Sequence, residues 1–322
     1  GKTDQDIPPI AIKRADGTLP AIAQNDAFID INFRSDRQRS KIASLAGARG
    51  FLESEGSSRG RQWDGSWIDH GLNLDICGIA EYHPIFEAEF GVSVAYPTEP
   101  HTANFLAQWP ETVGTDEYAL VAESVKSSHM GYFFRGRRED PVDGATEARF
   151  ITPSHGEEDG VKADTDFYLH PGMRAPEVTS DVLKAITAGT SRLICCNLAA
   201  PDMVGHLLPA RYEEAKVAYR SAADSLVEMA AAARQAGRDM VITSDHGNIE
   251  DDTSAHSVND VLTTIIRPDN AIAAIGIPVF QARLFDVAPT VLELIGAEKI
   301  RKHVSASGDA DRFVGRPLVA TE

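Results

Sequence analysis

The sequence predicts an α/β fold built on a largely parallel sheet sandwiched by helices. Three observations point there. Residues 192–199, RLICCNLA, form a continuous apolar run, the signature of a buried strand. Residues 239–244, DMVITS, read as a second buried strand. Between them, residues 208–236 place Ala215, Ala218, Ala222, Leu226, Met229 and Ala233 at i+3/i+4 spacing, which fits a long helix ended by Gly237. Buried strands alternating with helices build parallel sheets, and such sheets bind ligands at the C-terminal ends of their strands.

The other elements follow in chain order. Residues 1–22 read as a mid-protein loop, without the basic and apolar regions of a secretion signal. Residues 26–34, DAFIDINFR, alternate apolar and polar like a strand. A helix is expected next, capped at Ser35 and Asp36. Residues 52–70 are rich in Gly, Ser and Arg, hence loop. Residues 92–105, with two prolines and a polar run, suit a hinge between a smaller domain, 1–97, and a larger one, 98–322. Residues 118–124 and 130–136 read as strands and 177–188 as a helix. Residues 283–296 read as an entry turn, a proline at a first helical position, then a short helix ending in Gly.

A net charge of −17 argues against nucleic acid or anionic membrane as a partner, but a local Arg/Lys cluster can still hold a small anionic substrate. No run of 18 apolar residues is present. The three cysteines, Cys77, Cys195 and Cys196, are odd in number and two are adjacent. All three read as reduced, and Cys195 and Cys196 as structural, which suits a cytoplasmic protein.

The chemistry gathers at strand ends. Asp245 and His246 follow DMVITS, and Gly247 permits a tight turn after them. RLICCNLA runs into APDMVGH, which carries Asp202 and His206. His256 lies ten residues beyond His246. Taken singly, each is as well explained by a helix cap or a solvent-facing side chain. Two Asp/His clusters on successive strands, with a third His, point instead to metal. Mixed oxygen and imidazole donors suit Mn²⁺ or Zn²⁺. Five ligands exceed what one catalytic ion takes, so two ions are expected, an arrangement suited to phosphoryl transfer.

These residues carry a resemblance. INFRSDRQR, VAESVKSSHMGYFF, HPGMRAPEVTSDVL, NLAAPDMVGH, ITSDHGNIE and SAHSVND resemble, in this order along the chain, motifs of the cofactor-independent (2,3-bisphosphoglycerate-independent) phosphoglycerate mutases, in the alkaline phosphatase superfamily. The resemblance implies an alkaline-phosphatase-like sheet plus part of a smaller α/β domain. It implies one ion, Mn²⁺ in the family, on Asp202, His206 and His256, and a second on Asp245 and His246. Arg34 and Arg37 would hold the substrate's phosphate or carboxylate, and Lys126 would stabilise the transferring phosphate. The substrate would be phosphoglycerate and the protein a monomer.

The family's nucleophilic serine and first metal-binding aspartate lie in an N-terminal segment that this sequence does not contain, so a separate N-terminal fragment could supply them. Ser127, Ser128, Ser154 and Ser244 are substitutes by composition only. His129 matches a motif position but has no assigned role; packing explains it best. FFRGRRED and VKSSH depart from the family's pattern around Lys126. Two other classes stay open: a phosphomonoesterase of the same superfamily, and a non-catalytic fragment.

Overall fold

The computed structural model describes residues 10–35, 38–54, 71–97, 117–135, 140–141, 146–251, 253–269, 282–296 and 318. Arg37, the loop expected at 55–70 and residues 98–105 of the expected hinge lie outside these. The chain divides into two units, Gly1–Glu99 and Pro100–Glu322.

The smaller unit is a three-stranded parallel sheet, order β1-β2-β3: β1 Ala27–Asp30, β2 Asp75–Ala80 and β3 Ser93–Tyr96. Helices α1 Arg39–Ala46, α2 Arg49–Ser54 and α3 Pro84–Phe90 contribute Ile42, Leu52 and Phe86 to a core with Ile76, Tyr82 and Val92. Phe51 meets Phe86 edge-on, ring centroids 4.9 Å apart, a favoured aromatic geometry. His83 caps α3 by accepting from Ile85 N–H at 3.2 Å, and Pro84 takes the first helical position.

Tyr82 ties this unit's strand end together. Its hydroxyl donates to Asn32 O at 2.8 Å and Asp30 O at 3.1 Å. A Cβ at Gly78 would lie 2.7 Å from the Tyr82 ring, so glycine there makes room for it. The Asp30 carboxylate, 1% exposed, pairs with Lys41 at 2.6 Å and accepts from Asn32 N–H at 3.1 Å.

These contacts correct the expected strand 26–34. It stops at Asp30, because the Asp30 side chain captures the Asn32 amide and turns the chain. The helix begins at Arg39, with Gln38 as its N-cap, instead of at Ser35/Asp36, since Ser35 O instead accepts Gln38 N–H in a turn. Residues 52–54 complete α2 and are not loop. Ser93–Tyr96, inside the expected hinge, pairs with β2 as a strand.

In the larger unit, β4 Glu117–Glu123 lies between β5 Thr146–Thr152 and β6 Ser191–Cys196, all parallel. Tyr118–Ala122 are fully buried, as a central parallel strand covered on both faces must be. Successive residues face opposite layers. Tyr118, Leu120 and Leu193 pack on Leu292 of α7 Val287–Leu294. Val121 packs on Val178 and Val182 of α4 Ala175–Ala188 and on Met229 of α6 Tyr212–Gln235. Cys195 and Cys196 divide between the two layers as free thiols, and burial pushes both up to about 12. Between β6 and α6 lies the short helix α5 Ala200–Gly205.

Four expectations change here. Residues 130–136 are not a strand: His129–Phe133 form a π-helical turn, and Phe134 N–H donates to His129 O at 3.2 Å. A short apolar run fits either state, and packing of Met130 and Phe134 against the Tyr118 layer selects the turn. DMVITS contributes only the half-buried β7 Met240–Ile242, paired antiparallel with β8 Thr264–Ile266. On α6 the buried stripe runs through Ser225 instead of Leu226. Pro289 is the third residue of α7 instead of the first. No helix among the described residues is long and apolar enough to cross a membrane.

Candidate metal centre

β6 ends at Cys196, and α5 begins four residues later with Pro201 in its first turn. Asp202 and His206, four apart across this turn, therefore face the same way at the sheet's C-terminal rim. His206 Nε2 lies 3.2 Å from Asp202 Oδ1. His256 arrives from the loop after β7, its Nε2 3.3 Å from the same oxygen and 3.1 Å from His206 Nε2. The ligand atoms of this trio all lie within 4.8 Å of one another.

The donor set fits a divalent ion. Donors bound at about 2.0–2.2 Å stand about 3.0–3.5 Å apart around a shared centre, which matches these separations. His206 Nδ1 is 2.8 Å from Ser254 O; a carbonyl only accepts, so Nδ1 carries a proton and Nε2 is the nitrogen that faces the trio, free to ligate an ion once that ion displaces its hydrogen bond to Asp202.

Asp245 and His246 stand beside the trio. His246 Nε2 is 3.4 Å from Asp245 Oδ2 and 3.9 Å from Asp202 Oδ1. Its ring stacks on His256, centroids 3.4 Å apart and 15° from parallel. Among the described residues no further His, Cys, Asp or Glu completes a three-ligand group around this pair.

Lys126 ends the 3₁₀ turn that follows β4, and its Nζ bonds Asp202 Oδ2. Asp202 thus divides its oxygens, one toward imidazoles and one toward an ammonium. Burial opposes its ionisation, but hydrogen bonds from His206 and Lys126 outweigh this and hold the carboxyl well below the usual range. The same Asp202 bond raises His206, while burial and then His246 lower His256. The turn carrying Lys126 is pinned to the end of β5: Ser154 Oγ accepts Val125 N–H at 3.3 Å, and Ser124 Oγ accepts Ser154 N–H at 3.0 Å. Glu123, 1% exposed, accepts Arg174 N–H at 3.0 Å, and burial raises its carboxyl.

The structure gathers Lys126, Asp202, His206, Asp245, His246 and His256 in one place. Arg34 belongs to the smaller unit, exposed just beyond β1. Three of the substitute serines are engaged locally: Ser127 Oγ donates to Ser124 O at 2.8 Å, Ser244 Oγ to His246 O at 2.7 Å, and Ser154 holds Val125. His129 packs against the Phe133 ring, centroids 5.7 Å apart.

Two residues went unassigned in the sequence, although both stand in the motif SDHGNIE. Asn248, 7% exposed, donates from Nδ2 to Asp202 Oδ1 at 3.4 Å and fills the space where a Cβ on Gly205 would be. Glu250 accepts from Asn248 N–H at 2.8 Å and from Ser257 Oγ. Hydrogen bonds, Ser257's first, hold its carboxyl down at about 2.

A model of the metalloenzyme superfamily matches residues 34–299. The 2,3-bisphosphoglycerate-independent phosphoglycerate mutase of Syntrophotalea carbinolica is 32% identical over 308 residues, covering 93% of this chain and 53% of that protein. The enzyme of the same name from Ruegeria sp. is 34% identical, covering 86% and 50%. A Leishmania mexicana phosphoglycerate mutase, crystallised at low cobalt concentration, shares the fold with a TM-score of 0.69 at 19% identity, over 88% of this chain and 51% of that one. The chain spans about half the length of the curated relatives it matches. With the family match running through both units and the ligand trio, the chain belongs to the metalloenzyme superfamily.

Proposed function

We propose that this chain is the metal-binding portion of a phosphoglycerate mutase that interconverts 3-phosphoglycerate and 2-phosphoglycerate. The observation that carries the reading is the convergence of Asp202, His206 and His256 with Lys126 on the far oxygen of Asp202. Asp202, His206 and His256 would hold one divalent ion, and Asp245 and His246 would contribute to a second, Mn²⁺ or Zn²⁺ by donor type. Bound ions would neutralise phosphate oxygens and activate a nucleophile. The relatives named as phosphoglycerate mutases support the substrate class.

The chain's own residues divide the work. Lys126, held by Asp202, offers its ammonium to the transferring phosphoryl group. Arg34 and Arg37, on the smaller domain of residues 1–97, hold the substrate's carboxylate or phosphate; a guanidinium fork suits bidentate recognition. A serine from polypeptide outside this sequence forms the new P–O bond as the glycerate oxygen leaves. The phosphoseryl group then returns its phosphate to the other glycerate hydroxyl, which divides one hard transfer into two easier ones. The protein acts on this small substrate as a cytoplasmic monomer, with no nucleic acid or membrane.

The test is ³¹P NMR of 3-phosphoglycerate incubated with Mn²⁺ and this chain, alone and with a polypeptide supplying the family's N-terminal half. The 2-phosphoglycerate signal should grow without free phosphate and vanish with Lys126→Ala. Accumulation of inorganic phosphate instead would make the protein a phosphomonoesterase.

A further inference from the structure

We propose that Glu250 is a positioning residue: its carboxylate clamps the loop carrying His246 to the loop carrying His256. The two loops meet at one antiparallel bridge, Gly247 to Ser257, where Ser257 N–H donates to Gly247 O at 2.9 Å. A single bridge leaves both strands free to pivot. Glu250 adds contacts on each side of it. Oε2 accepts Asn248 N–H at 2.8 Å on the His246 loop. Oε1 accepts Ser257 Oγ, and Asn259 Nδ2 at 3.3 Å, on the His256 loop.

Each imidazole is the residue just before the bridge, so fixing the bridge fixes both rings. The outcome is the parallel stack of His246 on His256. Gly247 is part of the device. Its φ is not left-handed, so a turn does not require glycine there. A Cβ at Gly247 would overlap Glu250 Oε1 and Ser257 Oγ, so the missing side chain is what admits the carboxylate. A second arm runs through Asn248, whose amide nitrogen is held by Glu250 and whose side chain reaches Asp202 Oδ1. One carboxylate outside the ligand trio thus touches the supports of Asp202, His246 and His256.

The clamp's effect on affinity rests on the metal reading of the trio, its effect on loop exchange does not, and neither rests on the mutase reaction. The test uses Glu250→Gln, which keeps the shape but turns one acceptor oxygen into a donor facing another donor. Mn²⁺ affinity, read from free Mn²⁺ by electron paramagnetic resonance, should fall about 10–100-fold. In metal-free protein, amide exchange over residues 246–259 should quicken while α6 is unchanged. Ser257→Ala should move both readouts the same way by less, and decides the matter if Glu250→Gln does not fold. Mn²⁺ binding within about twofold of wild type would overturn the proposal. So would lost affinity with unchanged exchange, which would make Glu250 a ligand or a charge instead of a clamp. Should wild type lack mutase activity yet bind Mn²⁺, only the mutase reading fails. If it binds no Mn²⁺, unchanged exchange in Glu250→Gln overturns the clamp and faster exchange upholds it.

Discussion

Two single residues are defined by what they lack or hide. Gly205 has no Cβ, and the Asn248 side chain occupies that space on its way to Asp202. Gly205→Ala should therefore displace Asn248 and weaken Mn²⁺ binding about tenfold, measured by titration against wild type. Glu123 is the second, a buried carboxyl that desolvation raises above the ordinary glutamate range. Its native state binds more protons than its unfolded state, so stability falls as pH rises above about 4.5 toward the native value, by at most about 1.4 kcal/mol per pH unit. Glu123→Gln should remove that slope, read from urea midpoints between about pH 4.5 and 7. The ligand types were legible in the sequence because Asp and His at strand ends stand out chemically. Asn248 and Glu250 were not, because amides and carboxylates on polar loops are common and only their contacts distinguish them.

At the scale of elements, the strands buried on both faces were the readable ones. Tyr118–Ala122 and RLICCNLA announce themselves by continuous apolar sequence. β2 and β5 did not, since DICGIA is broken by Gly78 and TEARFIT carries Glu147 and Arg149. Those charges have a structural use. The Glu147 carboxylate, 2% exposed, accepts from Arg135 Nη1 at 2.9 Å and from Tyr118 Oη at 2.7 Å. Glu147→Ala should cost about 3–5 kcal/mol in urea unfolding and leave Mn²⁺ affinity unchanged, because Tyr118 and Glu147 sit at the N-terminal ends of β4 and β5, away from the metal rim. In the smaller unit, Tyr82→Phe removes the hydroxyl that holds Asp30 O and Asn32 O. It should cost about 1 kcal/mol and speed amide exchange around Asn32, just before Arg34.

For the whole molecule, the parallel α/β class followed from alternating buried runs and helices. The helix α5 was missed, yet it is what brings Asp202 and His206 to one side. Its six residues are too few for periodicity to register. The central claim is that Asp202, His206 and His256 hold a divalent ion. It is tested most directly by Mn²⁺ bound per chain after equilibrium dialysis of wild type, Asp202→Asn, His206→Ala and Asp245→Asn. The account predicts that Asp202→Asn and His206→Ala each lose the trio's ion and that Asp245→Asn retains it. Full wild-type metal content in His206→Ala would contradict it.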